Sequence, residues 1–205
     1  ITLGSVDMGG SRTVIAMQAA EVLGIPVRDV RPTVADTLGI GFTEISHGSR
    51  TAYATGAAAY TAAVRLVDEL RARAAPVWAI DEGNVSFSDG TFFAASDPEI
   101  RLTIRELAAR LGDTGGAVSA VAALDLPSPG GSVFGTHIAD IEIDPETGKV
   151  QVIRYTAVQA AGTAIHPALV EGQMQGGVAQ GTGCALHAAY FMASDGTRAN
   201  PGSTD

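Results

Sequence analysis

The sequence predicts an α+β fold, with βαβ-type units, a mixed sheet and antiparallel hairpins. Three observations carry that expectation. Residues 1–36 read as strand, helix, strand. Two later stretches alternate apolar and polar residues around strong turn signals, Asp89-Gly90 and "DPETGK" at 144–149. Two longer runs, residues 50–74 and a glycine-rich stretch opening at Pro167, are patterned as helices.

Taken in order, "ITLGSVDM" is a short strand running into the glycine turn "GGS". Arg12 to Leu23 follows, with Ile15, Ala19, Val22 and Leu23 at helical spacing. Gly24 and Pro26 stop that helix, a left-handed C-terminal glycine followed by a proline that cannot continue it. "VRDVRPTVAD" is the second strand, which closes a βαβ unit with a right-handed crossover. After a polar loop, Ser49 is the expected N-cap of the next helix, because its hydroxyl can accept a free backbone N–H. The first half of that helix is nearly all small (Ala52, Ala54, Gly56, Ala57, Ala58, Ala59). Small residues admit a ligand close to the backbone, or equally a neighbouring strand or helix.

Residues 78–132 read as a small lobe. "NVSFSDGTFF" is a hairpin turning at Asp89-Gly90. "DPEIRLTIRELAARLG" carries a helix signal, with Thr103 as N-cap and Glu106 in the first turn. Residues 113–132 are loop-like, with room for one short strand. Residues 134–158 form a second hairpin. "AAGTAIHP" then leads into "EGQMQGGVAQGTGCAL", with Pro167 at a helix start and His166 as the entry residue. "AAYFMASDGT" reads as one more strand and turn. The expected segments are therefore 1–77, 78–132 and 133–205. The chain starts inside a strand without a Met and stops in "NPGSTD", which reads as a piece of a longer polypeptide.

Composition excludes several function classes. The net charge of −9 with no basic stripe argues against nucleic acid. No apolar run approaches the roughly 20 residues of a membrane span. The single cysteine, Cys184, leaves no intrachain disulfide and no cysteine-rich metal site, which suits a reducing, cytoplasmic setting, with the periplasm left open. Cys184 reads as a small residue on a buried helical face. The four histidines lack H-E-x-x-H spacing, so no protein-ligated metal is expected. No Walker loop is present, and no G-x-G-x-x-G directly follows a strand. A dinucleotide-binding domain would need an acidic ribose residue about 20 positions after its glycine turn, and only Glu21 and Asp29 are loose candidates.

Three places share a glycine-rich or hydroxyl-bearing turn read as opening a helix: "DMGGSR", "SHGSRT" and "GGVAQGTG". A helix start offers unpaired N–H groups and partial positive charge, which suits phosphate. Glycine lets a ligand reach the backbone, and Arg12 and Arg50 add charged donors. Together the turns point to a phosphate-bearing, hydrogen-bond-rich cofactor. Each alone is read first as an ordinary turn.

In combination these motifs resemble the molybdenum-cofactor-binding large subunit of the xanthine dehydrogenase/aldehyde oxidase family. The resemblance runs in order through "GSVDMGGSR", "GSRTAYATGAA", "GTHIADIEIDPETGKVQVIRY", "HPALVEGQMQGGVAQGTGCAL" and "NPGSTD", nearly the whole chain. It implies part of a molybdopterin-binding domain. The implied ligand is the molybdenum cofactor, as molybdopterin or its cytosine dinucleotide. Gly9, Gly10, Ser11, Arg12, Ser49, Arg50, Thr51, Gly177 and Gln180 match the family's cofactor-binding positions. No residue is implied as a metal ligand, because the pterin dithiolene holds the molybdenum. The implied activity is oxidation of aldehydes or N-heterocycles with water as oxygen source. Iron–sulfur clusters and FAD would sit on partner subunits or domains, and the rest of the large subunit would be a further partner.

The sequence departs from the family in places. Gly10 stands where a glutamine is usual, "QAAG" (159–162) lacks an aspartate, and His166 replaces an asparagine. The family's catalytic glutamate lies in a G-x-G-E motif downstream of the segment matched by 200–205, and none of the glutamates here lies in such a motif. No catalytic residue is therefore expected in this segment. The other reading is a non-catalytic cofactor-binding or assembly module.

Overall fold

The computed structural model describes residues 1–34, 38–126 and 133–200. The chain divides into two compact units, Ile1–Gly130 and Gly131–Asp205.

The first unit begins with the expected βαβ element, in reduced form. β1 (Thr2–Leu3) pairs in parallel with β2 (Thr33–Val34), and α1 (Ser11–Leu23) lies between them in sequence. Both strands are shorter than predicted. After Pro26 the "VRD" segment winds into a single 3-10 turn, Val27–Asp29, leaving only the end of the predicted second strand to pair. The pairing is tied at its end by the Ile1 amino group, which donates to the Arg31 carbonyl (2.9 Å), and by the Thr33 N–H, which donates to the Ile1 carbonyl (2.9 Å). α1 buries Ile15, Ala16, Ala19 and Ala20 and ends at Gly24 in the left-handed region, as its sequence requires.

α2 (Thr51–Trp78) continues four residues past its predicted end and contains Pro76. An interior proline costs about 3 kcal/mol. Burial of Ala74 and Ala75, with Val77 and Trp78 packed against the same core, opposes that cost. The buried positions Gly56, Ala59, Ala63, Val67, Leu70 and Ala74 recur every three to four residues, one stripe along the helix. The small first half of α2 accommodates α1. A side chain at Gly56 would overlap the Gln18 amide, which donates to the Ala52 carbonyl at 3.3 Å.

The hairpin forms as predicted, from β3 (Val85–Ser88) and β4 (Thr91–Ala94). Asp89 (φ 46°) and Gly90 (φ 72°) both take positive φ, as a type I′ turn demands. Gly24 sits directly on this turn, so a Cβ there would strike the Asp89 and Gly90 backbone. The stretch 97–112, read as a helix signal capped at Thr103, divides at that residue. Residues Asp97–Thr103 form β5, paired to β4 with Leu102 opposite Phe92. Pairing and burial of Leu102 hold the residues before the cap in the sheet. α3 is confined to Ile104–Ala108, but its start is as expected. Thr103 and Glu106 form a complete capping box, and the Thr103 N–H and hydroxyl hold the Glu106 carboxyl below the usual carboxylate range. The core of this unit is Val67, Leu70, Ala74, Ala75, Val85, Phe92, Leu102 and Leu107. After a 3-10 turn, Leu111–Thr114, no strand occurs among described residues 115–126. That run is held to α2 through Arg73, which donates to the Thr114 carbonyl, and Arg65, which donates to the Val121 carbonyl (2.6 Å).

In the second unit β6 (Gly135–Ile143) and β7 (Val150–Gln159) pair antiparallel, from Gly135↔Gln159 to Ile143↔Val150, with a bulge at Asp140/Ile141. The "DPETGK" turn is tied by Asp144, which accepts from the Thr147 hydroxyl (2.6 Å) and the Glu146 N–H (2.9 Å). Those bonds pull its pKa down. α4 (Pro167–Leu186) opens with Pro167 in its first turn. His166 caps it, its Nδ1 accepting from the Leu169 N–H at 3.4 Å. The strand predicted near 188–197 is only an isolated bridge, Met192↔Arg198, around a turn held by Asp195 and Thr197.

Candidate cofactor site

The first turn is the most completely built. Gly10 is the N-cap of α1 and holds φ 84°, a left-handed conformation that glycine adopts without strain. The Ser11 hydroxyl donates to the Met8 carbonyl at 2.7 Å, and its N–H donates to the same oxygen at 3.1 Å. Ser11 is buried, so its role here is to close the turn. The Val14 N–H returns to the Gly10 carbonyl (3.0 Å), while the N–H groups of Arg12 and Thr13 have no acceptor among the described residues. These are the unsatisfied donors expected at a helix start. They border a concavity of about 460 Å³ lined by Asp7, Met8, Gly9, Gly10, Arg12, Thr13 and Pro32. Gly9 opens onto free space. The Arg12 guanidinium is held by Asp7 at 2.8 Å, a pairing that the sequence reading missed although both residues flank the glycines. Nearby in sequence, the Ser5 hydroxyl is buried with no hydrogen-bond partner among the described residues.

The second turn departs from expectation. Ser49 does not cap α2. Its φ is 60°, whereas a serine that caps through its hydroxyl typically holds extended backbone, and Arg50 is the residue preceding the helix, with no side-chain cap. Gly48 and Ser49 are both left-handed and Arg50 returns to the right-handed region. Such successions turn neighbouring N–H groups toward one side and form anion-binding concavities. Arg50 lies 3.8 Å from Glu44, and Thr51 is buried. Ser49, Arg50 and Thr51 do not line the concavity at Gly9 and Gly10.

The third place is not a helix opening. Gly176 to Gly183 lie inside α4, nine residues and more past its start at Pro167. Gly177 and Gln180 are exposed on this helix, and Gln180 makes no side-chain hydrogen bond among the described residues. No close backbone packing surrounds the α4 glycines among the described residues. A Cβ at Gly172, Gly176, Gly177, Gly181 or Gly183 would meet nothing within 4 Å. Cys184 is exposed rather than buried, because α4 has no buried residue. At 100° per residue, Gln173, Gly177, Gln180 and Cys184 share one side of α4. An adjacent side, about a quarter-turn round the helix and carrying Val170, Met174 and Val178, faces Tyr155, Ala157 and Gln159 of β7 across a groove of about 620 Å³. The spacing of those three apolar residues was the legible signal for the groove. His137 Nδ1 lies 3.0 Å from the Tyr155 hydroxyl beside it.

The chain matches, over residues 1–205, the family described as "Molybdopterin cofactor-binding domain". It belongs to that family. The nicotine 6-hydroxylase large subunit of Paenarthrobacter nicotinovorans is 32% identical over 91% of this chain and 24% of its own length. The xanthine dehydrogenase molybdenum-binding subunit of Escherichia coli O157:H7 is 30% identical over 98% and 28%. Among solved structures, a Cu,Mo-CO dehydrogenase in its carbon monoxide reduced state superposes with a TM-score of 0.78 at 26% identity. That match covers all of this chain and 26% of the other. Quinoline 2-oxidoreductase from Pseudomonas putida 86 gives 0.77 at 28%, over 97% and 26%. This molybdopterin-binding chain thus spans about a quarter of the length of the curated relatives it matches.

The donor set suits such a cofactor. Uncommitted N–H groups at the start of α1, beside an arginine and an open glycine, match a phosphate. An exposed carboxamide at Gln180 offers both a donor and an acceptor, as a pterin edge requires. Among the described residues no three His, Cys, Asp or Glu side chains come together. No helix among them is long and apolar enough to cross a membrane.

Proposed function

We propose that this molybdopterin-binding chain is the part of a molybdenum hydroxylase large subunit that cradles the molybdenum cofactor, as molybdopterin or its cytosine dinucleotide. The carrying observation is the α1 turn: two unanswered N–H groups over an open glycine, in a chain whose whole length matches a molybdopterin-binding family. Gly9, Gly10, Ser11 and Arg12 form one contact region, in which Ser11 closes the turn and the unanswered N–H groups of Arg12 and Thr13 are the donors. Ser49, Arg50 and Thr51 form a second, and Gly177 with Gln180 a third. When bound, the cofactor supplies the redox chemistry of hydroxylation, with water as oxygen source and an aldehyde or N-heterocycle as substrate. The residues of this chain orient it. Gln180 reads the pterin edge, the α1 start neutralises phosphate charge, and Asp7 fixes the direction of Arg12. Iron–sulfur and flavin subunits would carry electrons onward.

Metal analysis together with pterin oxidation fluorescence on the natively purified parent subunit tests the reading. The expected result is about one molybdenum and one pterin per chain, the stoichiometry of a single cofactor. Absence of both would overturn it. A second reading, a cofactor-binding or assembly module without turnover, is favoured by one observation, that no glutamate of this sequence lies in a G-x-G-E motif. Bound pterin with no hydroxylase activity in the parent would select that reading.

A further inference from the structure

α1 and α2 meet along a seam of small residues. Ile15 of α1 and Ala59 of α2 are buried in one cluster with Leu3. One turn further along α1 and one turn back along α2, Gln18 reaches the second helix. Its Nε2 donates to the Ala52 carbonyl at 3.3 Å. A carbonyl has two lone pairs, so Ala52 can accept this bond beside its own helical one. The reach depends on Gly56, whose missing side chain leaves the space that the Gln18 amide fills. A helix interior disfavours glycine relative to alanine, and this contact is a physical reason for the glycine at 56.

Ala52 lies in the first turn of α2. The N–H groups of Thr51, Ala52 and Tyr53 have no acceptor among the described residues, and no side chain caps the helix. That turn is the counterpart of Arg12 and Thr13 at the start of α1. Its ion pair, Arg50 with Glu44 at 3.8 Å, is long and largely exposed on the Glu44 side, so it holds the turn weakly. Apolar contact is non-directional, and the alanines of this half offer no large side chain to fix how α2 slides on α1. A hydrogen bond is directional. Gln18 lies six residues beyond Arg12, about 9 Å along a rigid helix. That helical segment and one hydrogen bond link the two donor turns.

We infer that Gln18 is a positioning residue for the cofactor. Through the Ala52 carbonyl it fixes the donor turn of α2 at a set distance from that of α1, so that both act on one bound molecule. It works through the helix and not by touching the cofactor. This rests on the reading of both turns as cofactor contacts.

The test uses the natively purified parent subunit with Gln18→Met, which keeps the length and loses the donor. A second variant combines Gln18→Ala with Gly56→Ala, which fills the vacated space. Molybdenum and pterin content and the rate of pterin release on dilution are measured for each. A thermal melt is recorded on the same subunits from a host that makes no pterin cofactor. The expected result is release about two- to tenfold faster in both variants, the size of one neutral hydrogen bond. The double variant should melt at or above the wild-type temperature, because alanine at 56 restores helix propensity. Release at the wild-type rate in either variant overturns the inference, and the double variant decides alone if Gln18→Met does not fold. Faster release with a lowered melt in the double variant also overturns it, since loosened packing would then account for both. Neither molybdenum nor pterin in the wild-type subunit sinks the functional reading instead, whereas cofactor present with unchanged release sinks the positioning role alone.

Discussion

Replacing Gln180 by alanine separates a cofactor contact from a structural residue. Gln180 is exposed on α4, and its carboxamide makes no hydrogen bond among the described residues. Removing it leaves no cavity and no orphaned partner. Alanine is the better helix former by a few tenths of a kcal/mol, so the folded chain should change by less than about 0.5 kcal/mol, with a slight gain more natural than a loss. A domain of about this size shifts its Tm by roughly 2–4 °C per kcal/mol, which places the expected change within about 2 °C. Cofactor content, by contrast, should fall. If the carboxamide makes a typical neutral hydrogen bond to the pterin, its loss weakens binding by about 0.5–1.5 kcal/mol, several-fold in occupancy under limiting cofactor. The assay pairs a thermal melt with molybdenum and pterin measurements on the native subunit. A drop in Tm of many degrees with unchanged cofactor content would refute the reasoning and make Gln180 structural.

The other predictions concern the frame. Phe92→Ala, fully buried in the core of the first unit with its ring tilted against Phe87 at a centroid distance of 4.7 Å, should destabilise by about 3–5 kcal/mol in denaturant unfolding. Gly24→Ala should cost more than a surface change, about 1–3 kcal/mol, since it combines φ 58° with a Cβ driven into the Asp89-Gly90 turn; a neutral result would mean that the turn shifts freely. Thr103→Ala removes the N-cap of α3 and should cost about 1 kcal/mol at neutral pH. The same box carries a pH signature. The folded-state pKa of Glu106 lies below its unfolded value, so its contribution is present above the unfolded pKa and lost as pH falls through the folded one. Glu106→Gln, which removes the titrating carboxyl, should therefore flatten the acid limb of a stability–pH profile, and an unchanged limb would show that Glu106 does not set it.

Some features were legible because they are local. Asp89-Gly90 demands two positive φ values and produced a hairpin. Gly24 ended α1, Pro167 and His166 opened α4, and Thr103 with Glu106 capped α3. Each is decided by the conformations and donors of a few adjacent residues. The order of motifs also carried the family, since glycine and hydroxyl positions around a cofactor survive as spacing in the chain.

What the tertiary structure decided was where those local preferences lose. Residues 97–103 became β5 because a partner strand and the buried Phe92 were available to them. α2 ran through Pro76 because its last turn is packed against a core, and its small first half received α1. Ser49 was left-handed and so could not cap. The Ser11 hydroxyl turned inward to Met8, and Asp7 reached Arg12 across the glycines. The sequence by itself thus determined the family, the turns and the caps, whose energies are local. Strand partners and the length of α2 depend on groups distant in the chain, and only the folded structure brings those groups together.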